Sequence, residues 1–181
     1  SANSSTFVLG EAQVGKAMTV VASYTDGHGT AEAVSSAATA AVVNVNDLPT
    51  GGVTIAGVAT QGQTLTAANT LADIDGLGAI AYQWKADGTA LATSSALVLG
   101  EAQVGKTITV VGGYTDGHGT AESVSSAATT PVVNVNDPGS VFINGTLAAG
   151  QTLTAVAVDA DGLGPVSYQW FADSVVIGGA T

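Results

Sequence analysis

Thr107-Ile108-Thr109-Val110-Val111-Gly112-Gly113-Tyr114-Thr115-Asp116-Gly117-His118-Gly119-Thr120 reads as one strand and the turn that reverses it. Ile108, Val110, Gly112 and Tyr114 share one face, with Thr107 and Thr109 opposite. Period-two alternation of this kind predicts a strand with one buried side. Asp116-Gly117-His118-Gly119 then carries the residues of a tight hairpin. The same turn already occurs as Tyr24 through Thr30.

The duplication extends well beyond this stretch. Leu9 through Lys16 return as Leu99 through Lys106, and Gln63-Thr64-Leu65-Thr66-Ala67 return as Gln151 through Ala155. Tyr82-Gln83-Trp84 return as Tyr168-Gln169-Trp170. The period is about 90 residues, and its frame is offset from the chain. Residues 1–47 read as the second half of a repeat, 48–137 as a complete repeat, and 138–181 as a first half. Near-identical copies point to a unit multiplied for length, since an enzyme rarely needs its chemistry twice in a row.

Composition narrows the classes. The chain has 181 residues, 46% of them hydrophobic, but only two Trp, four Tyr and three Phe. A core must therefore rest on small and β-branched side chains around a few aromatics. No long window carries a 3.6-residue apolar period. Net charge is −11 with three Lys+Arg in all, which argues against nucleic acid and anionic membrane surfaces as partners. No apolar run is long enough to span a bilayer. Cys is absent, so stability must come from packing or bound metal.

In the complete repeat, strands are expected at Val53–Ala56, Thr64–Ala67, Ile80–Trp84, a short segment near Thr89–Thr93, Ala96–Leu99, Thr107–Tyr114, and a long strand from about Thr120 to Val135. About seven strands with regular turn signals predict an all-β sandwich. Pro131 places the end of the last strand at an edge or crossover. Trp84 and Trp170, in phase with the Tyr residues, are expected in cores.

Trp84 on its strand, with Ala102-Gln103-Val104-Gly105 before the next, resembles the immunoglobulin-like pattern without its disulfide. Gly62 through Ala67, Asp75-Gly76-Leu77-Gly78, Tyr82-Gln83-Trp84, Tyr114 through Gly117 and Asn134-Val135-Asn136-Asp137 resemble the repeats of large bacterial surface adhesins, of the RTX and VCBS type. That resemblance implies tandem immunoglobulin-like domains and an extracellular location on the bacterial surface. It also implies export by Gram-negative bacteria and a role as a stalk.

In such a sandwich the loop carrying Asp73 and Asp75 shares one end with the turn carrying Asp116. The linker bearing Asn46 and Asp47 arrives beside them, and the corner bearing Glu11 faces them from the preceding repeat. Six oxygen-bearing residues would meet between domains, a set suited to Ca²⁺. The set resembles cadherin junctions. At the next junction the set is Glu101, Asn136, Asp137, Asp159 and Asp161, with Asp26 as the counterpart of Asp116. Solvated turns of Asp-x-Asp-Gly and Asn-Asp type are the competing reading. His28 and His118 occur once per repeat and are expected as exposed turn residues, because a metal site needs further ligands at suitable spacing.

No nucleophile elbow or phosphate loop is present. The expected role is therefore a non-enzymatic stalk or filament whose partner is itself, its half repeats completed head to tail by neighbouring copies. The alternative is a carbohydrate- or protein-binding module on an exported adhesin or hydrolase. Identical end turns in both copies favour spacer over reader.

Overall fold

A computed structural model describes residues 4–179. The outermost residues of both half repeats, 1–3 and 180–181, lie outside the described residues. The protein is all-β, and its strands form several small antiparallel sheets.

The first half repeat holds β1 (Val21–Thr25) and β2 (Ala31–Ser35), paired as a hairpin. The complete repeat holds β3 (Val53–Ala56), β4 (Thr64–Asn69), β5 (Ala81–Ala86), β6 (Thr89–Ala90), β7 (Ala96–Val98), β8 (Ile108–Thr115) and β9 (Ala121–Ser125). The last half repeat holds β10 (Ser140–Gly145), β11 (Leu153–Val158), β12 (Phe171–Ala172) and β13 (Val175–Val176).

The seven strands of the complete repeat form two sheets, in the orders β3-β4-β7 and β6-β5-β8-β9. They pack face to face. A Cβ on Gly112 of β8 would lie 3.0 Å from Val53 Cγ2 of β3. Trp84, Leu65, Ile108 and Val110 are fully buried between the sheets, with Leu99 beside them. All ten buried hydrophobic residues fall within residues 53–132, so the described part of each half repeat contributes none. The alternation expected for β8 is observed residue by residue, with positions 108, 110, 112 and 114 buried.

Turn chemistry sets the strand ends. Asp87 (φ 45°) and Gly88 (φ 82°) both take left-handed backbone in the β5–β6 hairpin, as a type I′ turn requires. Two short 3₁₀ turns, Glu11–Gln13 and Glu101–Gln103, form the corner before the main hairpin of each copy. In each, the Gln side chain reaches back to accept the N–H of Gly10 or Gly100, at 3.1 and 3.0 Å. Sequence reading placed a corner here but no helical turn.

Two expectations need correction. The long strand from Thr120 to Val135 stops at Ser125 and resumes only as bridges at Val132 and Val133. The cause is local hydrogen bonding. Ser126 Oγ accepts the Val110 N–H and Thr129 Oγ1 accepts the Ile108 N–H, both at 3.0 Å. These hydroxyls take part in the ladder and break its regular register. The half repeats also form fewer strands than expected. Thr6–Val8 and Ser167–Trp170 are irregular, whereas their counterparts in the complete repeat are in strands. The copy of the strand that pairs with each in the complete repeat is not its neighbour here, and an unpaired strand has no ladder to hold it.

Truncating Trp84 to Ala should cost about 3–5 kcal/mol, the range for a fully buried large aromatic. Chemical denaturation monitored by circular dichroism would measure it. A cost below about 1 kcal/mol would contradict the core assignment.

Candidate functional site at the repeat junctions

The Asp-x-Asp-Gly loop is folded on itself. Asp73 Oδ1 accepts the Asp75 N–H at 2.9 Å, and Asp73 Oδ2 accepts the Tyr114 hydroxyl at 2.5 Å. Burial, and then this bond to Asp73, raise the Tyr114 phenol above its ordinary value. Asp73 therefore ties the loop to β8 and orients Asp75.

The hairpin turn beyond β8 docks against that loop. The Gly117 N–H donates to the Asp75 carbonyl at 3.0 Å. A Cβ on Gly117 would come within 2.5 Å of the same oxygen, so only glycine permits the approach. Asp116 Oδ1 caps the turn by accepting the N–H groups of His118 and Thr120, both at 2.8 Å. Burial pushes the Asp116 carboxyl up, but these N–H groups outweigh it and hold it below the ordinary carboxylate value. In the first copy, Asp26 makes the same two bonds to His28 and Thr30.

The linker and the preceding half repeat complete the junction. The Asp47 N–H donates to Asp75 Oδ2 at 2.7 Å. Asn46 Nδ2 donates to Glu122 Oε1 of β9 at 2.8 Å. Glu11, on its 3₁₀ turn, lies 3.6 Å from His118 Nε2. One ligand atom each from Glu11, Asp75 and His118 lie within 4.8 Å of one another.

The next junction repeats this plan. The Asp137 N–H donates to Asp161 Oδ2 at 2.8 Å, and Asp159 Oδ1 accepts the Asp161 N–H at 2.9 Å. Carboxylate oxygens of Glu101, Asp137 and Asp161 lie within 4.8 Å of one another. Gln61 adds a clamp, accepting the Val135 N–H at 2.9 Å and donating to Asp137 Oδ2 at 2.6 Å.

The twelve acidic and amide residues singled out from sequence thus divide. Glu11, Asp75, Glu101, Asp137 and Asp161 gather into the two clusters. Asp73, Asp159, Asp116 and Asp26 instead accept backbone N–H groups of their own loops, while Asp47 contributes its backbone to Asp75. Asn46 bonds Glu122, and Asn136 is exposed outside both clusters. His118, read from sequence as an exposed turn residue, is one, and it also faces Glu11 across the junction. No linear motif links these two, because they belong to different repeats.

Burial singles out one residue of each cluster, Asp75 and Glu101, together with two residues outside them. Among the described residues, four buried side-chain oxygens lack a hydrogen-bond partner: Asn44 Oδ1, Asp75 Oδ1, Glu101 Oε2 and Asp116 Oδ2. Three are junction carboxylates, and Asp75 is only 4% exposed. A buried, unpaired carboxylate oxygen is costly unless a cation or donor compensates it. The donor set is dominated by carboxylate oxygen, as a hard divalent cation prefers. No helix among the described residues is long and apolar enough to cross a membrane. Comparison with known proteins returned no matching family model, curated protein or solved structure.

Gly117→Ala should destabilise the complete repeat by about 1–3 kcal/mol, as overpacking against backbone does. Thermal melting checks this, and an unchanged midpoint would contradict the close approach. Asp116 should also add to acid stability. Its folded carboxyl lies below the ordinary value of about 3.9. Its contribution is complete above that value and is lost as pH falls through the lower folded one. Asp116→Asn should therefore flatten the fall in stability below about pH 4, measured by urea titration at decreasing pH.

Proposed function

We propose that the chain is a segment of a tandem array of immunoglobulin-like sandwiches serving as a structural, non-enzymatic stalk or filament on a bacterial surface, with calcium holding its junctions. The observation that carries this reading is the junction built twice. An Asp-x-Asp loop takes the linker N–H on its second Asp, and a Glu from the preceding corner stands opposite, at Glu11 and Asp75 and again at Glu101 and Asp161.

A stalk needs stiff units and restricted linkers. The sandwich around Trp84 supplies the first. The bonds from Asp47 to Asp75, Asn46 to Glu122 and Gln61 to Asp137 supply the second. Calcium bound by Glu101, Asp137 and Asp161 would neutralise three carboxylates that otherwise repel one another. Glu11 and Asp75 would hold it at the first junction. Folding and extension would then depend on the extracellular cation.

A ligand that binds only the ordered junction stabilises it by about 2.7 kcal/mol at a hundredfold excess over its Kd. Calcium should therefore raise the melting midpoint of the full chain by several degrees, and chelator should reverse the gain. Small-angle X-ray scattering should show a longer, stiffer particle with calcium. Replacing Asp75 and Asp161 by Asn should abolish both responses. A midpoint and a maximum dimension insensitive to calcium would refute the junction reading.

A further inference from the structure

We infer that the first junction binds a divalent transition ion of the zinc class in preference to calcium, held by Glu11, Asp75 and the His118 imidazole. This rests on the reading of the junctions as cation sites and names the ion that one of them selects.

Three side chains from three separate loops meet there. Glu11 stands on its 3₁₀ turn, Asp75 in the loop between β4 and β5, and His118 in the turn between β8 and β9. One ligand atom from each lies within 4.8 Å of the other two. His118 Nε2 is 3.6 Å from Glu11 Oε1, too far for a hydrogen bond. Metal–ligand bonds of about 2.0–2.2 Å in a tetrahedron place neighbouring ligands about 3.3–3.6 Å apart. The two atoms are therefore spaced as ligands of one small ion.

Asp75 supplies an independent observation. It is 4% exposed, and its Oδ1 has no hydrogen-bond partner. Its Oδ2 is already held, accepting the Asp47 N–H at 2.7 Å. A backbone donor on one oxygen, with the other free, orients a carboxylate as outer-shell partners orient metal ligands. An ion pair of His118 with Glu11 alone would leave Asp75 Oδ1 buried and uncompensated, which is costly.

The protein fixes the remaining two ligands from behind. The Gly117 N–H bonds the Asp75 carbonyl at 3.0 Å, and Asp116 Oδ1 accepts the His118 N–H at 2.8 Å. These bonds pin the turn beside Asp75. Gln13 accepts the Gly10 N–H at 3.1 Å and closes the corner that carries Glu11.

Ligand type then decides the ion. Imidazole nitrogen suits zinc, copper, iron and nickel, whereas calcium takes about six to eight oxygens. Glu11 and Asp75 carry two carboxylate oxygens each, and one of the Asp75 pair is engaged by the linker. Two carboxylates and an imidazole instead fill three corners of a tetrahedron and leave the fourth to water. Glu101, Asp137 and Asp161 form an all-carboxylate cluster in the same chain and serve as an internal comparison. No spacing in the sequence marks His118 as a ligand, because its two partners come from other loops.

Calorimetric titration of the full chain with zinc chloride, in calcium-free buffer, tests this alongside proton–nitrogen spectra of the two imidazoles. Zinc should bind and shift the His118 Nε2 signal while the His28 ring stays unmoved. His118→Ala should weaken zinc by about 100-fold or more, the upper end of the loss caused by removing an outer-shell partner. Its ring is exposed, so the Trp84 core should unfold as in the parent. Glu11→Gln should weaken zinc as well, and Asp161→Asn should leave it unchanged. About a hundredfold excess of calcium should not displace the zinc. Zinc that binds without moving the His118 ring, survives His118→Ala or yields to equimolar calcium would overturn the inference. If calcium raises the melting midpoint but zinc does not engage His118, the zinc inference alone falls. If zinc binds through His118 and calcium has no effect, the calcium reading alone falls.

Discussion

Each repeat depends on one indole. Trp84 is fully enclosed between two sheets whose other core side chains are mostly Val, Leu, Ile and Ala. Small side chains bury little area each, so a single large aromatic contributes a disproportionate share of the contact between sheets. Its ring comes from β5, and the core it joins draws on both halves of the repeat, Val53, Leu65 and Leu71 before it and Leu99, Ile108, Val110 and Val132 after it. A core built this way cannot close until both halves of a repeat are present.

That division explains the uneven quality of the molecule. Residues 53–132 hold every buried hydrophobic residue among those described. The flanking halves keep their local hairpins, because β1 with β2 and β10 with β11 are joined by short connections. They lose the strands whose partners lie in the other half. The junctions depend on the same frame. Asp75 reaches the linker because Asp73 anchors its loop to Tyr114, and Tyr114 stands on the buried face of β8. Packing, loop position and junction chemistry are successive consequences of one strand register.

Much of this was legible in the sequence. Alternation at Ile108, Val110, Gly112 and Tyr114 identified the buried face of β8, because period two is a direct imprint of the pleat. Asp116-Gly117-His118-Gly119 marked a hairpin by its turn residues, and β8 and β9 are joined there. The interruption of the last strand was not legible, since Ser126 and Thr129 have ordinary strand propensities and act through side-chain bonds that depend on the partner strand. The acidic set was too broad for a related reason. Carboxylates that cap their own loops and carboxylates that face a neighbouring repeat share the same local motif. Only placement separates Asp116, which caps its own turn, from Asp75, which stands in the cluster with Glu11 of the preceding repeat. The contact of His118 with Glu11 spans two repeats and leaves no mark in either.

Hydrogen exchange of the full chain, read by mass spectrometry, tests the central claim most directly. That claim is one core, closed around Trp84 within residues 53–132, flanked by hairpins that bury no hydrophobic residue among those described. β5 and β8 should exchange slowly, whereas β1, β2, β10 and β11 should exchange within the range of local opening. Uniform protection along the chain would contradict the account.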